Sequence, residues 1–113
     1  MSPRVITLDT GEEDYLRILG GPPANETLRS GRVRLKPGES VGSHSTDDYE
    51  ELIIVLSGRG EASVVGDETF SIEQGSALYI PPWTVHDIKN VGTTPLAYVY
   101  VVARTPSHSR PDA

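Results

Sequence analysis

Cysteine is absent from this 113-residue chain, which excludes disulfide bonds and thiolate metal ligands. Long apolar runs are absent too. The longest, Ala97 to Ala103, falls far short of the roughly 20 residues that a membrane-spanning helix needs. The N-terminus shows no apolar core of a signal peptide, so a cytoplasmic location and no membrane partner are expected. Positive charge is scarce: 10 Lys and Arg stand against 16 Asp and Glu, a formal net charge of −6. A phosphate-tracking surface needs the opposite balance, so no nucleic-acid partner is expected. The densest basic group, Arg29, Arg32, Arg34 and Lys36, is explained by alternation along a strand; Arg32 and Arg34 share a face and are expected to be solvated, with contact to an acidic substrate as the alternative. Trp, Phe and Met occur once each and His three times, and no internal repeat or low-complexity tract is visible.

What the chain has is β-branched residues in short alternating runs, punctuated by 11 Gly and 9 Pro. The length suits one domain. Period-two patterning predicts strands at Val5 to Leu8, Tyr15 to Leu19, Arg32 to Leu35, Glu51 to Leu56, Glu61 to Val65 and Thr69 to Ile72. Further strands are expected at Ala77 to Ile80, His86 to Asn90 and Leu96 to Val102. Turns are expected at Lys36-Pro37-Gly38-Glu39, Ser57-Gly58-Arg59-Gly60, Gly66-Asp67, Gln74-Gly75 and Pro81-Pro82. Many short strands with almost no helical pattern imply an all-β antiparallel sandwich or barrel, and closure into a barrel would hide the strand edges. Residues 1–30 are expected to add strands to that same domain, residues 31–104 to form the barrel, and residues 105–113 to be a disordered tail.

Two histidines open strands just after turns. In Gly38-Glu39-Ser40-Val41-Gly42-Ser43-His44-Ser45-Thr46, His44 and Thr46 share a strand face. Hairpin pairing through Asp47-Asp48-Tyr49 would return Glu51 beside His44, and His86 follows the Pro81-Pro82-Trp83 turn. Two imidazoles and one carboxylate, if they converge, make a donor set with open positions. Spacing alone does not establish that convergence.

Both segments resemble the paired motifs of the cupin superfamily. Gly38, His44, Thr46, Glu51 and Gly58 fall on G-x5-H-x-H, three or four residues, E-x6-G, with Thr46 in place of the second histidine. Gly75, Pro81, Trp83, His86 and Asn90 fall on G-x5-P-x-G-x2-H-x3-N, with Trp83 in place of a glycine. The resemblance covers roughly residues 30 to 103 and implies an antiparallel double-stranded β-helix, the jelly-roll barrel of a small single-domain cupin. It implies His44, Glu51 and His86 as ligands of one divalent metal ion (Fe, Zn, Mn, Ni or Co), a small-molecule ligand and a homodimer.

Thr46 leaves three outcomes open: an open three-ligand site, a substitute carboxylate from Asp47 or Asp48, or a metal-free pocket. If Thr46 faces the site, Thr46→His is expected to raise metal affinity. Trp83 is expected to be a turn aromatic or contact residue, with a pocket wall as the functional reading. Tyr79, Tyr98 and Tyr100 are further pocket candidates, and periodicity does not decide which way the last two face. Leu52, Ile54 and Leu56 lie on the face opposite Glu51, where a second sheet or a subunit is expected to cover them. The function expected is binding or transformation of a small polar metabolite at the metal, as in a dioxygenase or an isomerase or lyase. The alternative is a metal-free module that binds or senses a sugar-like ligand. No separate general base stands out, although Asp48, Tyr79 or a metal-bound hydroxide could serve, and the fold does not carry the reaction.

Overall fold

Alternating burial along the chain builds two facing antiparallel sheets. The computed structural model describes residues 1–8 and 11–106, so most of the expected disordered tail lies outside the described residues. Nine strands occur among them: β1 (Tyr15–Gly20), β2 (Arg29–Leu35), β3 (His44–Ser45), β4 (Tyr49–Ser57), β5 (Arg59–Val64), β6 (Thr69–Glu73), β7 (Ala77–Ile80), β8 (Val85–Asn90) and β9 (Leu96–Arg104). One sheet has the order β1-β2-β9-β4-β7 and the other β3-β8-β5-β6. The architecture is the double-stranded β-helix. No helix among the described residues is long and apolar enough to cross a membrane.

Strand β4 shows how the pattern places the core. Glu51, Ile53 and Val55 are buried, while Glu50, Leu52, Ile54 and Leu56 between them are exposed, as a period of two dictates. The inward set meets Ala62, Ile72, Ile80, Ile88, Leu96 and Tyr98 between the sheets. The same parity settles the tyrosines of β9. Tyr98 and Tyr100 join the core side, so Val99 and Val101 face out. The turn at Gly58 explains its glycine: φ is +80°, and a β-carbon there would run into the carbonyl oxygen of Pro95.

Two expectations do not hold. Val5 to Leu8 alternates like a strand but lies outside every strand, and Val5 is 95% exposed. Alternation without a partner edge to pair with does not make a strand. Arg32 is buried rather than solvated; its guanidinium donates to the Glu13 carbonyl at 3.2 Å and lies 3.6 Å from the Glu13 carboxylate.

Ile72 lies in the core away from the histidines, so Ile72→Ala is expected to cost ~2–5 kcal/mol in urea unfolding. Val5→Ala is expected to change stability by less than about 0.5 kcal/mol. A large loss for Val5→Ala would mean that the N-terminal segment is packed after all.

Candidate metal centre

The two sheets, rather than one hairpin, bring the polar cluster together. His44 and His86 are directly opposite each other on β3 and β8, with ring centroids 4.4 Å apart. Glu51 comes from β4 in the other sheet. It therefore reaches the histidines across the barrel and not by pairing back onto β3. The cause is the Asp47-Asp48 connection, where Asp47 takes φ 51° and turns the chain from one sheet to the other. One donor atom from each of His44, Glu51 and His86 lies within 4.8 Å of the others.

Hydrogen bonds set which nitrogens face the centre. The Nδ1 of His86 lies 3.2 Å from the carbonyl oxygen of Thr84, and that of His44 lies 2.9 Å from the carbonyl oxygen of Gly42. A carbonyl only accepts, so both Nδ1 atoms carry hydrogen and donate. Nε2 is then the remaining nitrogen on each ring. On His86 it is buried, makes no hydrogen bond, and stands 3.1 Å from Oε1 of the buried Glu51. A bare lone pair facing a carboxylate oxygen at that distance is repulsive, so the gap calls for a cation, either a proton or a metal ion. Burial works against an imidazolium at His86. The Glu51 carboxylate, the Thr84 carbonyl and the charge of Asp87 outweigh it and hold the pKa above its usual value.

Thr46 is buried, and its hydroxyl is already committed. It donates to the carbonyl of Pro81 at 2.8 Å and accepts from the amide of Thr84 at 3.1 Å. Those bonds pin the turn that carries His86, and the Thr84 carbonyl orients its ring. Thr46 therefore braces the turn that carries the neighbouring strand's histidine, and it lines the cavity beside the three donors. Asp48 is elsewhere: its carboxylate pairs with Arg104 at 3.1 Å, and its carbonyl accepts from Thr105. The Tyr79 hydroxyl donates to the Glu50 carboxylate at 3.0 Å on the outer face, which holds its pKa above the ordinary phenol value. Trp83 is half-buried at a turn, with φ 57° and its amide donating to the Asp47 carbonyl at 2.7 Å. That left-handed conformation is where glycine is cheap, which gives the motif's glycine a backbone meaning.

A cavity of about 570 Å³ opens beside the three donors. Apolar side chains such as Val33, Val41, Ile53 and Ile88 make up most of its wall, with Tyr98 and Tyr100 among them. Asp14, Tyr15 and Arg29 also line it, and reading the sequence alone did not single them out as site residues. The signal available was Gly31, an unbranched position amid alternating larger residues that leaves room for a neighbouring ring.

With fold and donors in place, the family model for the cupin domain (Cupin_2) matches residues 31–102. The chain belongs to the cupin family. This cupin is 43% identical over 59 residues to the uncharacterized protein MJ1618 of Methanocaldococcus jannaschii, covering 52% of this chain and 46% of that one. It is 32% identical over 73 residues, or 65% of its length, to the mannose-1-phosphate guanylyltransferase RfbM of Salmonella typhimurium but spans only 15% of that protein. An oxalate-binding protein of Thermotoga maritima is 28% identical over 93 residues, covering 81% of this cupin and 76% of the relative. A crystal structure of a predicted oxalate decarboxylase from the same organism superposes with a TM-score of 0.74 at 26% identity, covering 80% of this cupin and 79% of that chain.

Thr46→Val keeps the shape and removes the hydroxyl, leaving Pro81 O and Thr84 N without their buried partner. It is expected to cost ~1–3 kcal/mol in urea unfolding. A loss below about 0.3 kcal/mol, well inside the range of ordinary surface changes, would show that the hydroxyl does not hold the turn.

Proposed function

We propose that this cupin binds one divalent metal ion through Nε2 of His44, Nε2 of His86 and the Glu51 carboxylate, and binds a small metabolite in the adjoining cavity. The observation that carries the reading is the buried His86 Nε2, without a hydrogen bond and 3.1 Å from a buried carboxylate oxygen. Two imidazoles and a carboxylate suit Fe(II), Zn, Mn, Ni or Co and leave further positions for water or ligand. When bound, such an ion supplies Lewis acidity toward a ligand oxygen. The chain's own residues hold the donors: the carbonyls of Gly42 and Thr84 fix the rings, and Thr46 fixes the turn beneath His86. The relative named for oxalate binding supports an oxygen-rich ligand. The metal-free alternative, a cavity for a sugar-like ligand, draws its support from Thr46, whose committed hydroxyl leaves three donors and not four.

Elemental analysis of protein purified without a chelating column is expected to find about one divalent ion per chain, and His86→Ala to lose it. Wild type without metal, and with no thermal shift on adding Fe(II), Zn(II) or Mn(II), would favour the metal-free alternative. The pH dependence has a definite sign. A pKa raised in the folded state stabilises the metal-free protein below the free imidazole value of about 6.5, and this contribution is lost as pH rises through the folded-state value. The same proton occupies Nε2, so metal affinity is expected to fall with acidification, approaching tenfold per pH unit below the His86 pKa. An affinity flat from pH 7.5 to 5.5 would contradict ligation by His86.

The reading includes a homodimer. Leu52, Ile54 and Leu56 stand 40%, 39% and 41% exposed on the outer face of β4, with no second sheet among the described residues over them. Sedimentation is expected to show a dimer that Leu52→Glu with Ile54→Glu converts to a folded monomer. A monomeric wild type would remove the dimer from the account.

A further inference from the structure

The cavity has a second polar end, built largely from residues outside the matched domain. Arg29 on β2 pairs with Val102 on β9, and Val102 pairs on its other side with Glu51 on β4. All three line the cavity, so they form one inward-facing row, with Arg29 two strands from the metal-site carboxylate. At one strand spacing each, that is roughly 9–10 Å between the Cα atoms. The Arg29 guanidinium has no ion-pair partner among the described residues; it lies beside Gly21 and 6.0 Å from the centre of the Tyr49 ring. Arg104, by contrast, also approaches that ring, at 5.3 Å, but is held by Asp48.

Tyr15 is brought to the same wall by an absent side chain. A β-carbon on Gly31 would sit 2.6 Å from the Tyr15 hydroxyl oxygen and 2.7 Å from a ring carbon. Glycine at that position lets the Tyr15 ring lie over β2 and reach Tyr100, the two hydroxyl oxygens being 2.6 Å apart. Two hydroxyls so placed share one hydrogen and leave the other to donate, and no acceptor for it occurs among the described residues' hydrogen bonds. Burial first, then the bond to Tyr15, pushes the Tyr100 pKa up, which keeps its proton in place as a donor. The cavity thus offers the exposed Arg29 guanidinium, a spare phenol hydrogen and, next to Tyr15 in sequence, the Asp14 carboxylate, with three metal-type donors at its other end and mainly apolar wall between.

We propose that Arg29 and the Tyr15–Tyr100 pair form an oxyanion subsite, and that the ligand is a carboxylic acid with an apolar or aromatic body. A two-carbon diacid would leave most of a 570 Å³ cavity unfilled, whereas volumes of that order enclose larger organic molecules. The guanidinium fork matches a carboxylate in two parallel bonds, and the phenol hydrogen adds a third donor. The apolar body lies along Val33, Ile53 and Tyr98. The inference rests on the proposed reading only in taking this cavity as the ligand site.

The test is calorimetric titration of benzoate, phenylacetate, 3-phenylpropanoate, their amides and oxalate, into EDTA-treated and into zinc-loaded protein. At least one aromatic acid is expected to bind tenfold or more tightly than its amide, already in the EDTA-treated protein. Arg29→Gln is expected to bring acid and amide within threefold of each other, and Tyr15→Phe to weaken the acid several-fold, with thermal melts confirming that both variants fold. The proposal is overturned if no acid is preferred over its amide, if the preference survives Arg29→Gln, or if oxalate outbinds every aromatic acid independently of Arg29. A preference that needs zinc and ignores Arg29 would leave the metal reading standing while this one fails. Arg29-dependent binding in a protein that takes up no metal would do the reverse.

Discussion

A buried imidazole nitrogen and a buried carboxylate oxygen 3.1 Å apart, with no hydrogen bond between them, set the main electrostatic demand of this barrel. Neither group can be left bare there, because removing a charge or a lone pair from water without a partner costs several kcal/mol. The demand is met by a cation. Without metal a proton can fill the role: the Glu51 carboxylate and the Thr84 carbonyl raise the His86 pKa despite burial. If a metal binds, the His44 ring would supply a third donor, since its donor atom lies within 4.8 Å of those of Glu51 and His86. Folding, protonation and the proposed metal binding thus compete for one small space.

The rest of the structure holds that space open. Glu51 is carried by the inward face of β4, the histidines by adjacent strands of the opposite sheet, and the core between the sheets fixes the distance. Small backbone devices finish the arrangement. Asp47 in the left-handed region swaps the chain between sheets, and Trp83 in the same region shapes the turn before His86. Thr46 ties those two segments together through Pro81 and Thr84. Thr46, where the motif has a histidine, offers no imidazole and instead braces the turn before His86.

Much of this was legible in the residues, and the divisions follow physical lines. Strands whose apolar positions find partners were readable by period two, as in β4, where Glu51 and not Glu50 faces inward. Val5 to Leu8 has the same period and no partner, and periodicity carries no information about partners. The parity of Tyr98 and Tyr100 fixed that they share a face, but which face depended on β2 and β4 pairing on either side of β9. The histidine and glutamate positions stood out by motif, yet the route joining them did not, because a turn residue's φ decides whether a chain returns or crosses. Arg29 and Tyr15 were invisible as site residues: their place in the cavity comes from long-range pairing and from the missing side chain of Gly31.

The central claim is that backbone carbonyls lock both rings as Nδ1–H and turn Nε2 toward a shared cation. Nitrogen-15 NMR of the histidine side chains, before and after zinc is added, tests it most directly. The account predicts protonated Nδ1 on His44 and His86 in both states, with the Nε2 resonances of both rings moving to coordinated-nitrogen positions on zinc addition while Nδ1 stays put. Nδ1 without hydrogen on either ring in the metal-free protein, or Nε2 signals unmoved by zinc at saturating concentration, would contradict it.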